Sequence, residues 1–241
     1  MRGLLFGLAI GVPGRLPSTL GVKARMFRHR PRSPIKGVFF DFDGVLTTDK
    51  TGSLTTCRYL SIQTGIDLSI LTRALRRYNN DLTIGRRSHA DVWPELCESL
   101  GQVIPVELLP LAFQSTPANQ PMFALAEELK RHCVVGIITD NKKDRIDYLR
   151  KAQQLDKLFA PIVVSAEMAC TKEDKRRFQA ALQLSGLQAS EAVFIDNSTP
   201  NLIAPRPLGM QTIHFDDAPN DVAGLRRTLK EEYGLLVDPD A

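Results

Sequence analysis

The sequence predicts an α/β protein in which helices cover both faces of a parallel sheet and a helical unit is inserted after the first strand. Three observations carry this. Short apolar runs rich in β-branched and aromatic residues alternate with helical stretches from residue 119 onward, the pattern of βαβ construction. Residues 48–118 show helical periodicity and no convincing strand. Three of the expected strands also end in polar residues, where ligands collect on open α/β sheets.

Val38-Phe39-Phe40 reads as the first strand, closed by Asp41-Phe42-Asp43-Gly44, with Gly44 permitting a bend. Apolar residues at helical spacing then mark four helices, over 53–64, 67–80, 88–100 and 105–114, with Ser88 as an N-cap and Asp91 three positions on. A helix over 120–132 carries Met122, Leu125 and Leu129 and leads to a strand at 134–138 ending in Thr139-Asp140-Asn141. Next come a helix at 142–154, a strand at 162–164, a helix at 172–185 and the strand Ala192-Val193-Phe194-Ile195, which ends at Asp196-Asn197. A short helix from Pro200, a strand at 211–215 and a helix near 219–233 complete the series.

A chain of 241 residues, 43% hydrophobic and 24% charged, has room for one sizeable core and a smaller helical unit. The net charge of +4 misleads: residues 1–40 hold eight Lys or Arg and no acid, leaving 23 basic against 27 acidic residues in 41–241. That argues against a nucleic-acid-binding face on the folded body. The four cysteines show no metal spacing and are expected to be reduced cytosolic thiols. No apolar run reaches the ~18–20 residues that span a bilayer. Residues 1–34 imitate a signal peptide without its cleavage site and also suit an organellar transit peptide. The favoured expectation is a flexible basic extension, or an upstream start with Met26 as the working one. A cytoplasmic protein without membrane or nucleic-acid partners is therefore expected.

Asp41 and Asp43 taken alone fit a solvated strand end as well as a functional site, because turns favour Asp and Gly. The other strand ends alter that balance. In a right-handed parallel sheet, the ends carrying Asp41, Thr139 and Asp196 share one edge. Two carboxylates that converge at the bend, with a third from another strand, make an oxygen-rich site for a hard cation such as Mg²⁺. Lys172, the Thr139 hydroxyl and the N–H that follows, at Asp140, suit a dianionic phosphoryl group.

In this combination and order, Asp41-Phe42-Asp43-Gly44-Val45-Leu46, Ile137-Ile138-Thr139-Asp140-Asn141, Lys172 and Phe194-Ile195-Asp196-Asn197, the chain resembles the haloacid dehalogenase superfamily over roughly 36–216. The resemblance implies a Rossmann-like core over 35–47 and 119–241, with 48–118 as a helical cap. It implies Asp41 as the nucleophile that forms an aspartyl-phosphate, and Asp43 as general acid and base. It also implies Mg²⁺ held by the carboxylates of Asp41 and Asp196 and the main-chain carbonyl of Asp43. Members that act on carbon–halogen bonds lack the second aspartate, so Asp43 favours phosphoryl transfer.

The expected activity is thus a Mg²⁺-dependent phosphatase acting on a small phosphorylated metabolite. The alternatives are a sugar phosphomutase similar to β-phosphoglucomutase and a non-catalytic protein that keeps the fold for binding. Lys50, Arg86, Arg87 and His89 are candidate substrate contacts on the cap, while Trp93 is expected in the cap's own core. The chain departs from the family pattern twice. Glu173 follows Lys172 where proline is common, and Asn197 replaces a frequent second Asp, so Asn197 and Asn201 become candidates for orienting the metal ligands.

Overall fold

The computed structural model describes residues 34–171 and 173–236. The basic extension expected over 1–34 falls outside them up to residue 33, as does Lys172. The described residues form one compact unit.

Strand β1 (Gly37–Phe40) opens the chain's α/β body and is buried throughout. Five helices make up the segment that follows: α1 (Gly52–Thr64), α2 (Leu68–Arg76), α3 (Asn79–Thr83), α4 (His89–Leu100) and α5 (Leu108–Gln114). Then come α6 (Gln120–Lys130), β2 (Val134–Thr139), α7 (Lys143–Ala152), α8 (Leu155–Leu158), β3 (Ile162–Val164), α9 (Ser165–Met168) and α10 (Arg176–Ser185). Strands β4 (Ala192–Asp196) and β5 (Gln211–His214) precede α11 (Val222–Glu231). The strands form one sheet in the order β3-β2-β1-β4-β5, all parallel.

Alternation along the strands builds a core on each face. Val38, Phe40, Ile137, Val193 and Ile195 pack with Met122, Leu125, Leu149, Leu225 and Leu229 on one side. Phe39, Ile138, Val163 and Phe194 pack with Phe178, Ala181 and Leu182 on the other. The first face is covered by α6, α7 and α11, the second by α10.

The helical segment buries a third cluster of its own, with Leu60, Leu71, Val92, Leu96, Leu109 and Phe113 at its centre. Trp93 belongs to it, its ring N–H donating to the Ile104 carbonyl at 2.8 Å. Ser88 caps α4 in a reciprocal capping box with Asp91, as its spacing foretold. Where one helix was expected over 67–80 there are two. α2 stops at Arg76, and the chain turns through Arg77 and Tyr78 before α3 begins at Asn79-Asn80, residues whose side chains compete with helical hydrogen bonding. The helix expected from residue 172 starts only at Arg176. Pro200, Pro205 and Pro207 reduce the segment after β4 to two 3₁₀ turns, Thr199–Leu202 and Arg206–Leu208, since proline supplies no N–H to a longer helix.

The chain enters and leaves the helical segment side by side. Thr47 and Ala118 form an antiparallel bridge, Thr48 N–H donates to Pro117 O at 3.1 Å, and Asn119 N–H donates to Leu46 O at 2.9 Å. Further out, Gly85 lies against the α9 backbone: a Cβ there would stand 2.1 Å from the Ala166 carbonyl oxygen, and Gly85 has φ +71°. Neither backbone can yield cheaply. Gly85→Ala is therefore expected to lower stability by about 1–3 kcal/mol, strain at a left-handed position being of that order. Chemical denaturation would check this, and a midpoint equal to that of the wild type would refute it.

Candidate active site

The loop after β1 sets the site. Asp41 is extended and donates its N–H to Ile195 O at 2.8 Å, tying the end of β1 to the end of β4. Asp43 is extended as well, and Gly44 turns the chain at φ +80°. A Cβ on Gly44 would come within 2.1 Å of the Asn197 amide nitrogen, so glycine serves both the left-handed turn and the close approach of the loop after β4. Thr47 Oγ1 accepts from the Gly44 N–H at 3.1 Å and steadies the bend.

Register then brings the predicted residues together. Phe40 pairs with Ile195 and with Ile137, so Asp41, Asp196 and Thr139 stand at one sheet edge. Asp41 is 6% exposed and Asp196 fully buried. Asp196 accepts from Ser198 N–H at 2.7 Å and from the Asn201 amide, which lies 3.1 Å from both carboxylate oxygens, so Asn201 stands where its amide can orient that acid. Asn197 packs on Gly44, and its carbonyl oxygen lies 3.1 Å from His214 Nε2.

Asp43 departs from the expectation that both carboxylates converge on one cation. Its carboxylate is turned onto Arg145, whose Nη2 and Nη1 lie 2.8 and 2.9 Å from Oδ1 and Oδ2, and the Asn141 amide donates to Oδ2 at 2.9 Å. The guanidinium fork matches the two oxygens of a planar carboxylate and takes both of them. What Asp43 can offer a metal is its main-chain carbonyl. Among the described residues no three His, Cys, Asp or Glu side chains gather as a metal cluster. The fit to a cation therefore rests on a mixed set: two buried carboxylates on adjacent strand ends plus one carbonyl, all hard oxygen donors of the kind Mg²⁺ takes.

Three cations absent from the sequence reading complete the site. Arg145, 1% exposed, also donates to Asn141 Oδ1 at 2.9 Å and Thr116 Oγ1 at 3.3 Å, and stacks 5.7 Å from the centre of the Phe42 ring. Arg177 is fully buried beneath β2. Its Nη1 donates to Thr139 O at 2.9 Å and lies 2.5 Å from Asp140 Oδ1, while Nε and Nη2 have no partner among the described residues. Burial pushes its guanidinium down from the ordinary range, and Asp140 opposes the shift. Half-buried Lys142 is pushed down to about 8, chiefly by desolvation, with the Asp43 charge working the other way.

A signal for the two arginines existed: Arg145 directly precedes Ile146 on the buried face of α7, and Arg177 precedes Phe178 on that of α10. A charge in an apolar stripe marks a buried partner, which sequence alone could not identify.

A cavity of about 940 Å³ opens over this edge. Asp41, Asp43, Asp140, Lys142, Asn197 and Asn201 line its floor, and Lys50, Arg76, Asn79 and Asn80 from the helical segment line its wall. Lys50 therefore reaches the cavity. The other three candidate contacts do not. Arg86 pairs with Asp81, and Arg87 with Glu95 at 2.6 Å, both at the surface. His89 is buried, its Nδ1 2.8 and 2.9 Å from the Asp144 oxygens. Burial works against the Asp144 charge, yet His89 holds its carboxyl below the usual range. This pair fastens the start of α4 to α7, so His89 is a structural contact between insert and core. All four cysteines are free thiols, and no described helix is long and apolar enough to cross a membrane.

Comparison with known proteins gives a consistent result. The family model for haloacid dehalogenase-like hydrolases matches residues 35–209. No curated protein matches the chain. Among solved structures, a predicted HAD-like family hydrolase from Porphyromonas gingivalis superposes with a TM-score of 0.63 at 21% identity, covering 83% of this chain and all of that one. A HAD family enzyme from Bacteroides thetaiotaomicron, in complex with magnesium and inorganic phosphate, gives 0.59 at 19% identity over 76% of this chain and 96% of its own. The L-2-haloacid dehalogenase of Xanthobacter autotrophicus, with chloropropionic acid covalently bound, gives 0.59 at 14% over 81% and 82%. At these identities the structural likeness speaks for the fold.

Proposed function

The chain belongs to the haloacid dehalogenase-like hydrolase family, and within it we propose that the protein is a Mg²⁺-dependent phosphatase acting on a small phosphorylated metabolite. The observation that carries this reading is Asp43, a second carboxylate two residues beyond Asp41 that lines the same cavity and is held by Arg145 and Asn141. A carbon–halogen bond needs no proton donor for its leaving group, whereas an alkoxide leaving from phosphorus does. Magnesium and phosphate bound by the Bacteroides relative support the same chemistry.

The roles follow from position. Asp41 attacks phosphorus; the bond to the ester oxygen breaks, and the departing alcohol takes a proton from Asp43. Asp43 then takes a proton from water as that water attacks the aspartyl-phosphate, releasing inorganic phosphate and restoring Asp41. Thr139 and the Asp140 N–H, with Lys172, hold the phosphoryl oxygens. Arg177 keeps that loop in place from below. Asp41 and Asp196, through their carboxylates, and Asp43, through its carbonyl, would hold Mg²⁺, which when bound would supply the neutralisation that lets two anions meet. The helical segment acts as the cap over the cavity.

The test is phosphate release from a panel of sugar phosphates, nucleotides and phospho-acids, with Mg²⁺ and with chelator. Release is expected with Mg²⁺ alone, and Asp41→Asn should reduce it to background. Wild-type protein that liberates no more phosphate than Asp41→Asn sinks the proposal. Isomerisation of a sugar phosphate without net release would replace it with the mutase reading.

A further inference from the structure

The acids close to Lys142 already have other partners. Asp43, Asp140 and Asp144 are the carboxylates that act on its charge. The first is clamped by Arg145, the second by Arg177, and the third is hydrogen-bonded by His89. Lys142 thus faces the cavity without an ion-pair partner among the described residues, and so do Lys50 and Arg76 on the opposite wall. These three cations exceed what the reacting group requires. One divalent cation and Lys172 would bring three positive charges against the four negative ones of Asp41, Asp196 and a phosphoryl dianion. Glu173 adds one further carboxylate to the lining, so that group and Glu173 take up two of the three cations and leave one in surplus. Beside it stand amides and hydroxyls such as Asn79, Asn80 and Thr72 and the less polar Cys57 and Leu75, and among the described residues no aromatic ring lines the cavity on which a nucleobase could stack.

Building on the proposed phosphatase reading, we infer that Lys142, with Lys50 and Arg76, forms a second anion subsite, so that the substrate is a small hydroxylated phosphate ester carrying a further carboxylate or phosphate. Lys142 comes from the core, directly after the phosphate-binding loop. Lys50 and Arg76 come from the insert. The subsite is complete only where insert and core face each other, and a doubly anionic substrate would bridge the two. Three cations lining one cavity offer an anion charge-assisted contacts that a neutral hydroxyl cannot replace.

The test is calorimetry on full-length protein carrying Asp41→Asn, with Mg²⁺, so that binding is read without turnover. Two matched pairs are used: 3-phosphoglycerate against glycerol 3-phosphate, and glucose 1,6-bisphosphate against glucose 6-phosphate. The doubly anionic member of at least one pair should bind about tenfold more tightly, the scale of one charge-assisted contact. The responding pair tells whether a carboxylate or a second phosphate is preferred. Adding Lys142→Met should shrink the difference to within about twofold, and Lys142→Arg should preserve it. Equal affinities in both pairs, no binding by any of the four, or a preference untouched by Lys142→Met would each overturn the subsite. A chain that prefers the second anion yet releases no phosphate as wild type would instead refute the phosphatase reading and leave the subsite standing.

Discussion

Arg145→Met is expected to lower kcat by about 100-fold, the cost of misplacing a catalytic group by about 1 Å, with a smaller effect on KM. The guanidinium holds both oxygens of Asp43, and at the same time reaches Asn141 on the loop after β2 and Thr116 on the segment leaving the insert. Gly52, the first residue of α1, touches it from the entry side, where a Cβ would fall 2.2 Å from Cζ. Arg145 is thus wedged between both connections to the insert and the proposed acid–base carboxylate. Removing one partner of a buried ion pair costs about 3–5 kcal/mol, and because Asp43 keeps 14% of its side chain exposed the low end applies.

Gly52→Ala supplies the control that leaves the arginine in place. The added methyl should displace the guanidinium and reproduce much of the kcat loss with less destabilisation. Steady-state kinetics on a hydrolysed phosphate ester, with thermal unfolding alongside, would check both variants. A kcat unchanged or raised in Arg145→Met would mean that Asp43 works better without its clamp.

Arg177→Met should separate the two effects, with activity falling and stability holding. Arg177 is fully buried, and two of its nitrogens have no partner among the described residues, so its desolvation is only partly repaid by Thr139 O and Asp140. A methionine of similar length avoids that cost, and Asp140, with 30% of its side chain exposed, can be hydrated in its absence. Stability is expected to change by no more than about 1 kcal/mol, the net worth of a typical hydrogen bond. The loop from Thr139 to Asn141 loses a donor that fixes it, and kcat/KM should drop by at least about tenfold if, as proposed, that loop holds the phosphoryl oxygens. Urea denaturation and kinetics on the same samples would decide. Severe destabilisation with kcat/KM preserved would make Arg177 a folding residue only.

Much of this arrangement was legible in the sequence because it is local. Alternating apolar runs and helical stripes are written within single segments, and parallel strands must present their carboxyl ends on one edge. Asp41, Asp43, Thr139 and Asp196 could therefore be placed together without coordinates, and Gly44 could be assigned to a bend. The break of the expected 67–80 helix at Arg77 and Tyr78 was not legible. Apolar spacing continues through the turn while the backbone does not.

The sequence by itself determined the α/β class, the position of the helical insert and the acids that meet at the sheet edge, since each follows from periodicity and from the handedness of parallel connections. Only the tertiary structure decided what those acids touch. Arg145 and Arg177 lie far along the chain from Asp43 and Thr139, and His89, Arg86 and Arg87 proved to be engaged elsewhere. Such pairings depend on which faces of separate helices are buried against one another. That choice is made by packing and by the cost of leaving a charge unpaired, and neither is recorded in the spacing of residues along a chain.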